Sequence, residues 1–214
     1  MADNYLEKKM EDLRSGRLTQ STGKRLASQK GMWCVDFPCR RVLVTDGTGA
    51  TGRSVVTEFC RAGCKVAFFA VDSAAGKDVA GATGARFVHC DVADVDSVKM
   101  AVDGLVKAWR DIDIIVNTAS EPADALLGIL ASHRDRLPYP NDFGGRLIDV
   151  IPTGSGGSKE IEGIAAKYGI TVNRVITAEG CVPVQTVAKL CVFLSAPGSE
   201  LIDGADIAVG SREG

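Results

Sequence analysis

Val44-Thr45-Asp46-Gly47-Thr48-Gly49-Ala50-Thr51-Gly52-Arg53-Ser54 carries three closely spaced glycines between two segments of different period. A β-branched run, Arg41 to Thr45, precedes it, and a segment with apolar residues at helical spacing, Val55, Val56, Phe59 and Cys60, follows. Gly47, Gly49 and Gly52 therefore form Gly-x-Gly-x-x-Gly between a strand and a helix, the setting in which this spacing binds a dinucleotide. Such glycines let the backbone approach a pyrophosphate, while the helix N-terminus offers unpaired amides and the positive end of its dipole. Glycines also join strands to helices for steric reasons alone, and the spacing does not separate the two uses.

Outward from this turn, short β-branched runs alternate with longer segments of helical period. The strands expected are Arg41 to Thr45, Lys65 to Val71, Arg86 to Cys90, Asp113 to Asn117, Arg146 to Ile151, Thr171 to Thr177 and Ala205 to Val209. A continuous apolar run such as Val66 to Val71 suits a strand buried on both faces. Val98, Ala101, Val102, Leu105 and Trp109 make one helical packing stripe, and Val184, Val187, Ala188, Cys191 and Leu194 make another. The alternation predicts an α/β chain: a three-layer, doubly wound Rossmann fold with a mostly parallel sheet. Residues 1–38 stand apart as an N-terminal arm with a short helix read from Leu6, Met10 and Leu13, and residues 39–214 form the dinucleotide-binding domain.

Roughly twenty residues beyond Gly52, at the end of the second strand, stands Asp72, where a carboxylate can bond a ribose 2′-hydroxyl and would repel a 2′-phosphate. That favours NAD, with NADP still possible because Arg53 and Lys77 are near in sequence. An acidic residue after a strand is equally a solvated helix cap.

These residues resemble the short-chain dehydrogenase/reductase family, from about Arg41 to Val209. The glycine turn is similar to that family's Thr-Gly-x-x-x-Gly-x-Gly, with Asp46 in place of the first glycine. Cys90-Asp91-Val92 resembles the Asp-Val whose aspartate bonds the adenine amino group, and Asn117-Thr118-Ala119-Ser120 resembles Asn-Asn-Ala-Gly. Lys167 to Val175 is similar to the stretch before the family's sixth strand. The resemblance implies an oxidoreductase acting on a small alcohol or carbonyl compound. Its cofactor-binding residues would be Gly47, Gly49, Gly52, Asp72, Asp91, Asn117 and Lys159, the lysine in the ribose-binding role within Ser158-Lys159-Glu160.

The family's catalytic tyrosine is missing. Four residues before Lys159 stands Ser155, and Pro152 or Thr153 occupies the place of the catalytic serine. Lys159 and Ser155 are the candidate catalytic pair, yet an unactivated hydroxyl is a poor proton donor, and residues 154–158 read more readily as a turn ending in a Ser158 cap. Asp46 raises a second question, since its carboxylate opposes a pyrophosphate unless it points away or caps the next helix. Whether the chain is an enzyme is therefore open. The other reading is a catalytically silent nucleotide-binding or assembly module on the same scaffold.

Composition narrows the partners. A formal net charge of −2 gives no field that draws the chain to nucleic acid or an anionic membrane, so a small-molecule substrate of unknown identity and a possible homo-oligomer are expected. No run approaches the roughly 18 apolar residues of a membrane span. Seven scattered cysteines read as reduced core residues in a cytoplasmic protein, and with two histidines no metal site is expected.

Overall fold

The structure, a computed structural model, describes Phe37 and residues 40–120, 124–135, 145–154, 159–178 and 184–210, with backbone alone for Lys159 and Glu160. The arm helix expected around Leu6, Met10 and Leu13 lies outside the described residues.

Among the described residues seven strands, β1 (Arg41–Val44), β2 (Lys65–Ala70), β3 (Arg86–His89), β4 (Ile114–Asn117), β5 (Gly145–Pro152), β6 (Ile170–Thr177) and β7 (Asp206–Val209), form one sheet in the order β3-β2-β1-β4-β5-β6-β7. Every adjacent pair is parallel. The helices are α1 (Ala50–Arg61), α2 (Ser73–Thr83), α3 (Val95–Trp109), α4 (Asp124–Arg134), α5 (Lys159–Tyr168) and α6 (Val184–Leu194). Side chains alternate across the strands, so Val42, Val44, Phe68, Ile114, Val116 and Ile148 pack in the core that holds α1 and α6. Leu43, Ala67, Phe69, Ile115 and Leu147 pack in the opposite core with α3, α4 and α5. This is the three-layer, doubly wound architecture that the alternation predicts, and both helical stripes meet it: Val98, Ala101, Val102, Leu105 and Trp109 are buried, as are Val187, Ala188, Cys191 and Leu194.

Local chemistry explains where the elements stop. α1 ends in a Schellman turn: the Cys64 amide donates to Phe59 O and the Gly63 amide to Cys60 O, both at 3.1 Å, with Gly63 at φ 82°. α2 begins at Asp72, whose carboxylate accepts from the amides of Ala74 and Ala75, and α3 begins at Asp94, which accepts from Asp96. The second strand stops one residue short of the expected Val71, which is 58% exposed, because the Asp72 cap already turns the chain into α2. The described cysteines belong to the packing: burial pushes the thiols of Cys60 and Cys90 up, and that of Cys191 up to about 12.

At the N-terminal edge of the sheet the charges pair with one another. Arg41 makes a forked contact with Asp113, Nε to Oδ2 at 2.8 Å and Nη2 to Oδ1 at 2.6 Å, and its Nη1 donates to Trp109 O. The hydrogen bond to Asp113 holds the Arg41 guanidinium above its ordinary pKa. Arg134 reaches Asp111 Oδ1 at 3.3 Å and Ile112 O at 2.9 Å, tying α4 to the chain entering β4.

Candidate active site at the sheet switch point

β1 lies between β2 and β4, so the winding reverses beside it, and in sheets wound this way the C-terminal ends of the strands at such a reversal are where the ligand crevice forms. The sequence-predicted residues of the nucleotide side come together on this edge: the glycine turn follows β1, Asp72 follows β2, Asp91 follows β3 and Asn117 ends β4.

Two glycines of the turn are required by the protein's own packing. A Cβ on Gly47 would lie 2.2 Å from Phe68 Cδ2, and one on Gly52 would lie 1.5 Å from the backbone oxygen of Asp46. A Cβ on Gly49 would meet only the Asp46 side chain, at 2.6 Å from Oδ2. The Gly47 amide donates to Phe69 O at 3.0 Å and pins the turn to β2. Beyond the turn, α1 begins at Gly49 without a side-chain cap and with no acidic residue in its first turn, while Arg53 stands there exposed. The amides of Ala50, Thr51 and Gly52 thus face the crevice end of a helix whose dipole and neighbouring cation both favour an anion. A pyrophosphate fits this donor set.

The Asp46 carboxylate folds back onto the turn. Its Oδ1 accepts from the Thr48 amide at 3.1 Å, the Thr48 hydroxyl at 3.0 Å and the Gly49 amide at 3.2 Å. The carboxylate neither points away from the turn nor caps α1: its bonds end at the Gly49 amide, and Asp46 shapes the loop ahead of the helix as an Asx turn.

Asp72 and Asp91 are both exposed at the rim, and each also serves its own loop. Asp72 Oδ1 caps α2 at 2.8 Å from Ala74 N, and Asp91 Oδ1 accepts from Ala93 N at 3.0 Å. The solvated-cap role read for Asp72 is present, and it uses one oxygen of the carboxylate for both of its bonds.

Asn117 sits deeper, 2% exposed, with its amide engaged at both ends. Its Oδ1 accepts from Thr45 Oγ1 at 2.6 Å, and its Nδ2 donates to Asp149 Oδ1 at 2.8 Å. Thr45 Oγ1 in turn accepts from the amides of Thr118 at 3.0 Å and Ala119 at 3.2 Å. Thr45 and Asp149 are the residues that sequence reading missed. The available signal was a carboxylate inside the apolar run Leu147-Ile148-Asp149-Val150-Ile151. Burial pushes the Asp149 carboxyl above the ordinary carboxylate range, against the Asn117 hydrogen bond and the charge of Arg174, with Asp124 adding to the rise.

On the reaction side, Lys159 is the first residue of α5, at the same edge of the sheet. Ser155 lies outside the described residues, as does the Ser158 cap. Thr153, one of the two positions read for the catalytic serine, donates its hydroxyl to Thr177 O at 3.1 Å, and Pro152 ends β5. Tyr168 closes the far end of α5, where its hydroxyl accepts from Lys167 Nζ at 2.8 Å, a helix length from Lys159.

The sequence of this region matches known proteins. A family model described as enoyl-(acyl carrier protein) reductase covers residues 49–128. (+)-Borneol dehydrogenase 2 of Salvia officinalis is 38% identical over 84 residues, 37% of this chain and 30% of that protein. Secoisolariciresinol dehydrogenase of Forsythia intermedia is 35% identical over 80 residues, 36% of this chain and 29% of that protein. Over this stretch the chain is similar to dehydrogenases and reductases of the short-chain family. A short-chain dehydrogenase from Mycobacterium smegmatis shares the fold, with a TM-score of 0.69 at 13% identity over 86% of this chain and 98% of that one. The matched stretches span about a third of the length of the curated relatives. Members of this dehydrogenase/reductase family take NAD(P) as their nucleotide. Among the described residues no helix is long and apolar enough to cross a membrane.

Proposed function

We propose that this chain binds NAD in preference to NADP across the switch point and exchanges hydride with a small alcohol or carbonyl compound. The observation that carries the reading is the start of α1, uncapped and without an acidic residue, beneath a glycine turn whose shape Asp46 fixes. The amides of Ala50, Thr51 and Gly52 would receive the pyrophosphate, with Arg53 adding charge. Asp72 would accept from the adenosine ribose and repel a 2′-phosphate, and Asp91 would accept from the adenine amino group. Lys159, by the family resemblance, would hold the nicotinamide ribose. The bound nicotinamide supplies or accepts the hydride.

Protonation of the alkoxide left by hydride transfer is the step for which this chain lacks the family's residue. The hydroxyl of Thr153 is committed to Thr177 O, and Tyr168 stands at the other end of its helix. That gap supports the second reading, a nucleotide-binding module without turnover. NADH oxidation over a panel of small ketones and aldehydes separates the two. The oxidoreductase reading expects turnover slowed by about a hundredfold to ten-thousandfold relative to an enzyme with a poised acid, and abolished in Lys159→Ala. NAD binding with no turnover on any substrate supports the silent module, and failure of both nucleotides to bind overturns both readings.

A further inference from the structure

Polar residues on the α3–α5 face of the sheet line up across it, buried at Thr45, Asn117 and Asp149, half-buried at Arg174 and exposed at Asp206. Register pairs Asn117 with Asp149, Asp149 with Arg174 and Arg174 with Asp206, and hydrogen bonds extend the row through Asn117 to Thr45. Further down the same strands this face carries Leu43, Ile115 and Leu147, so polar side chains enter where the crevice begins. One end of the row meets the backbone of the crevice, because Thr45 Oγ1 receives the amides of Thr118 and Ala119, and Thr118 Oγ1 donates to Asp46 O at the head of the glycine turn. The other end reaches a cavity of about 320 Å³ between α5 and β6, whose wall includes Asp149, Ile161, Glu162, Val172, Arg174 and Asp203.

We propose that Asp149 is a positioning residue for the nucleotide crevice, holding the segment after β4 in place through Asn117 and Thr45 and loosening it when it takes up a proton from the α5 cavity. The proposal rests on the nucleotide-binding reading for its consequence and on the hydrogen-bond row for its mechanism.

Asp149 Oδ1 accepts from Asn117 Nδ2, and a carboxylate accepts more strongly than a carboxylic acid. This bond fixes which end of the Asn117 amide faces Thr45: Oδ1 takes the Thr45 hydroxyl hydrogen and leaves the Thr45 oxygen to receive two amides. A proton on Asp149 weakens the anchoring bond and offers Asn117 Oδ1 a competing O–H donor, so the Thr45 hydroxyl loses its fixed orientation. The charged groups around Asp149 act in both directions. Arg174 of β6, itself bonded to Asp206 of β7, favours the carboxylate, while Asp124 of α4 disfavours it, and Glu162 of α5 and Asp203 before β7 share the cavity wall. Burial adds to the proton affinity and carries the titration above the ordinary carboxylate range.

The test is NMR of the full chain without nucleotide, from about pH 4 to 8, reading the Asp149 carboxyl carbon together with the amides of Thr118 and Ala119. The two amides should shift with the midpoint of Asp149 and exchange about tenfold faster once it is protonated, the weight of one hydrogen bond. In Asp149→Asn they should be flat, and in Thr45→Val, which cuts the row beyond Asn117, Asp149 should still titrate while the amides no longer follow. Amides that ignore Asp149 in the wild type, or follow it equally in Thr45→Val, overturn the proposal, and the second variant keeps the test decisive if Asp149→Asn does not fold. NAD affinity over the same range should fall about threefold to tenfold as Asp149 protonates. A wild type that binds no NAD at either extreme removes the proposed function, and the amide titrations then decide this inference by themselves.

Discussion

At the N-terminal edge of the sheet the charges satisfy one another, Arg41 with Asp113 and Arg134 with Asp111, whereas at the C-terminal edge the start of α1 is left uncapped and the acidic side chains serve their own loops. The first edge is finished by the protein itself. The second leaves amide donors, a cation and rim carboxylates beside a reversal of the winding, where an α/β sheet takes its ligand. Burial and charge alone therefore do not mark a site. The pairs Arg41–Asp113 and Arg134–Asp111 tie the protein's own elements together, and the candidate site is recognised by the start of α1, which no side chain caps.

Four substitutions test that contrast. Asp113→Ala strands the half-buried Arg41 guanidinium without its carboxylate and should cost about 3–5 kcal/mol of stability, measured by urea unfolding, while NAD affinity stays unchanged in the folded fraction. An effect on affinity comparable to that on stability would erase the division between the edges. Gly52→Ala drives a Cβ to 1.5 Å from the Asp46 oxygen; it should cost about 3 kcal/mol and abolish nucleotide binding together, because turn and helix must part. Asp72→Ala removes the α2 cap, about 1 kcal/mol, and should also narrow the preference for NAD over NADP in calorimetric titrations. Loss of the cap with no change in preference would leave Asp72 a structural residue only.

The smallest effect concerns Asp46. Asp46→Asn keeps an oxygen for the Thr48 and Gly49 amides and removes the charge, so NAD binding should tighten about threefold, the size of a partly screened charge at a helix start. Weaker binding would mean that the turn depends on the carboxylate.

How far these features can be read from the sequence follows the range of the contacts that make them. The strands are legible because runs such as Val66 to Ala70 are buried on both faces, and the start of α2 because Asp72 bonds amides two and three residues on. The turn glycines are legible by spacing, but their cause is not: Gly47 is held to a hydrogen side chain by Phe68, from the neighbouring strand. The direction of Asp46 depends on a rotamer, and the pattern leaves cap and repulsion equally open. The row Thr45-Asn117-Asp149 depends on the register of β1, β4 and β5, whose members lie 72 and 32 residues apart in sequence, a relation that no local period encodes.

The central claim, that the C-terminal edge of this sheet is a dinucleotide site, is met most directly by isothermal titration of the purified chain with NAD and with NADP under one set of conditions. One site per chain is expected, with NAD tighter than NADP and both lost in Gly52→Ala under conditions where that variant remains folded. Equal or inverted affinities would contradict the role given to Asp72, and absence of binding by both nucleotides would contradict the claim itself.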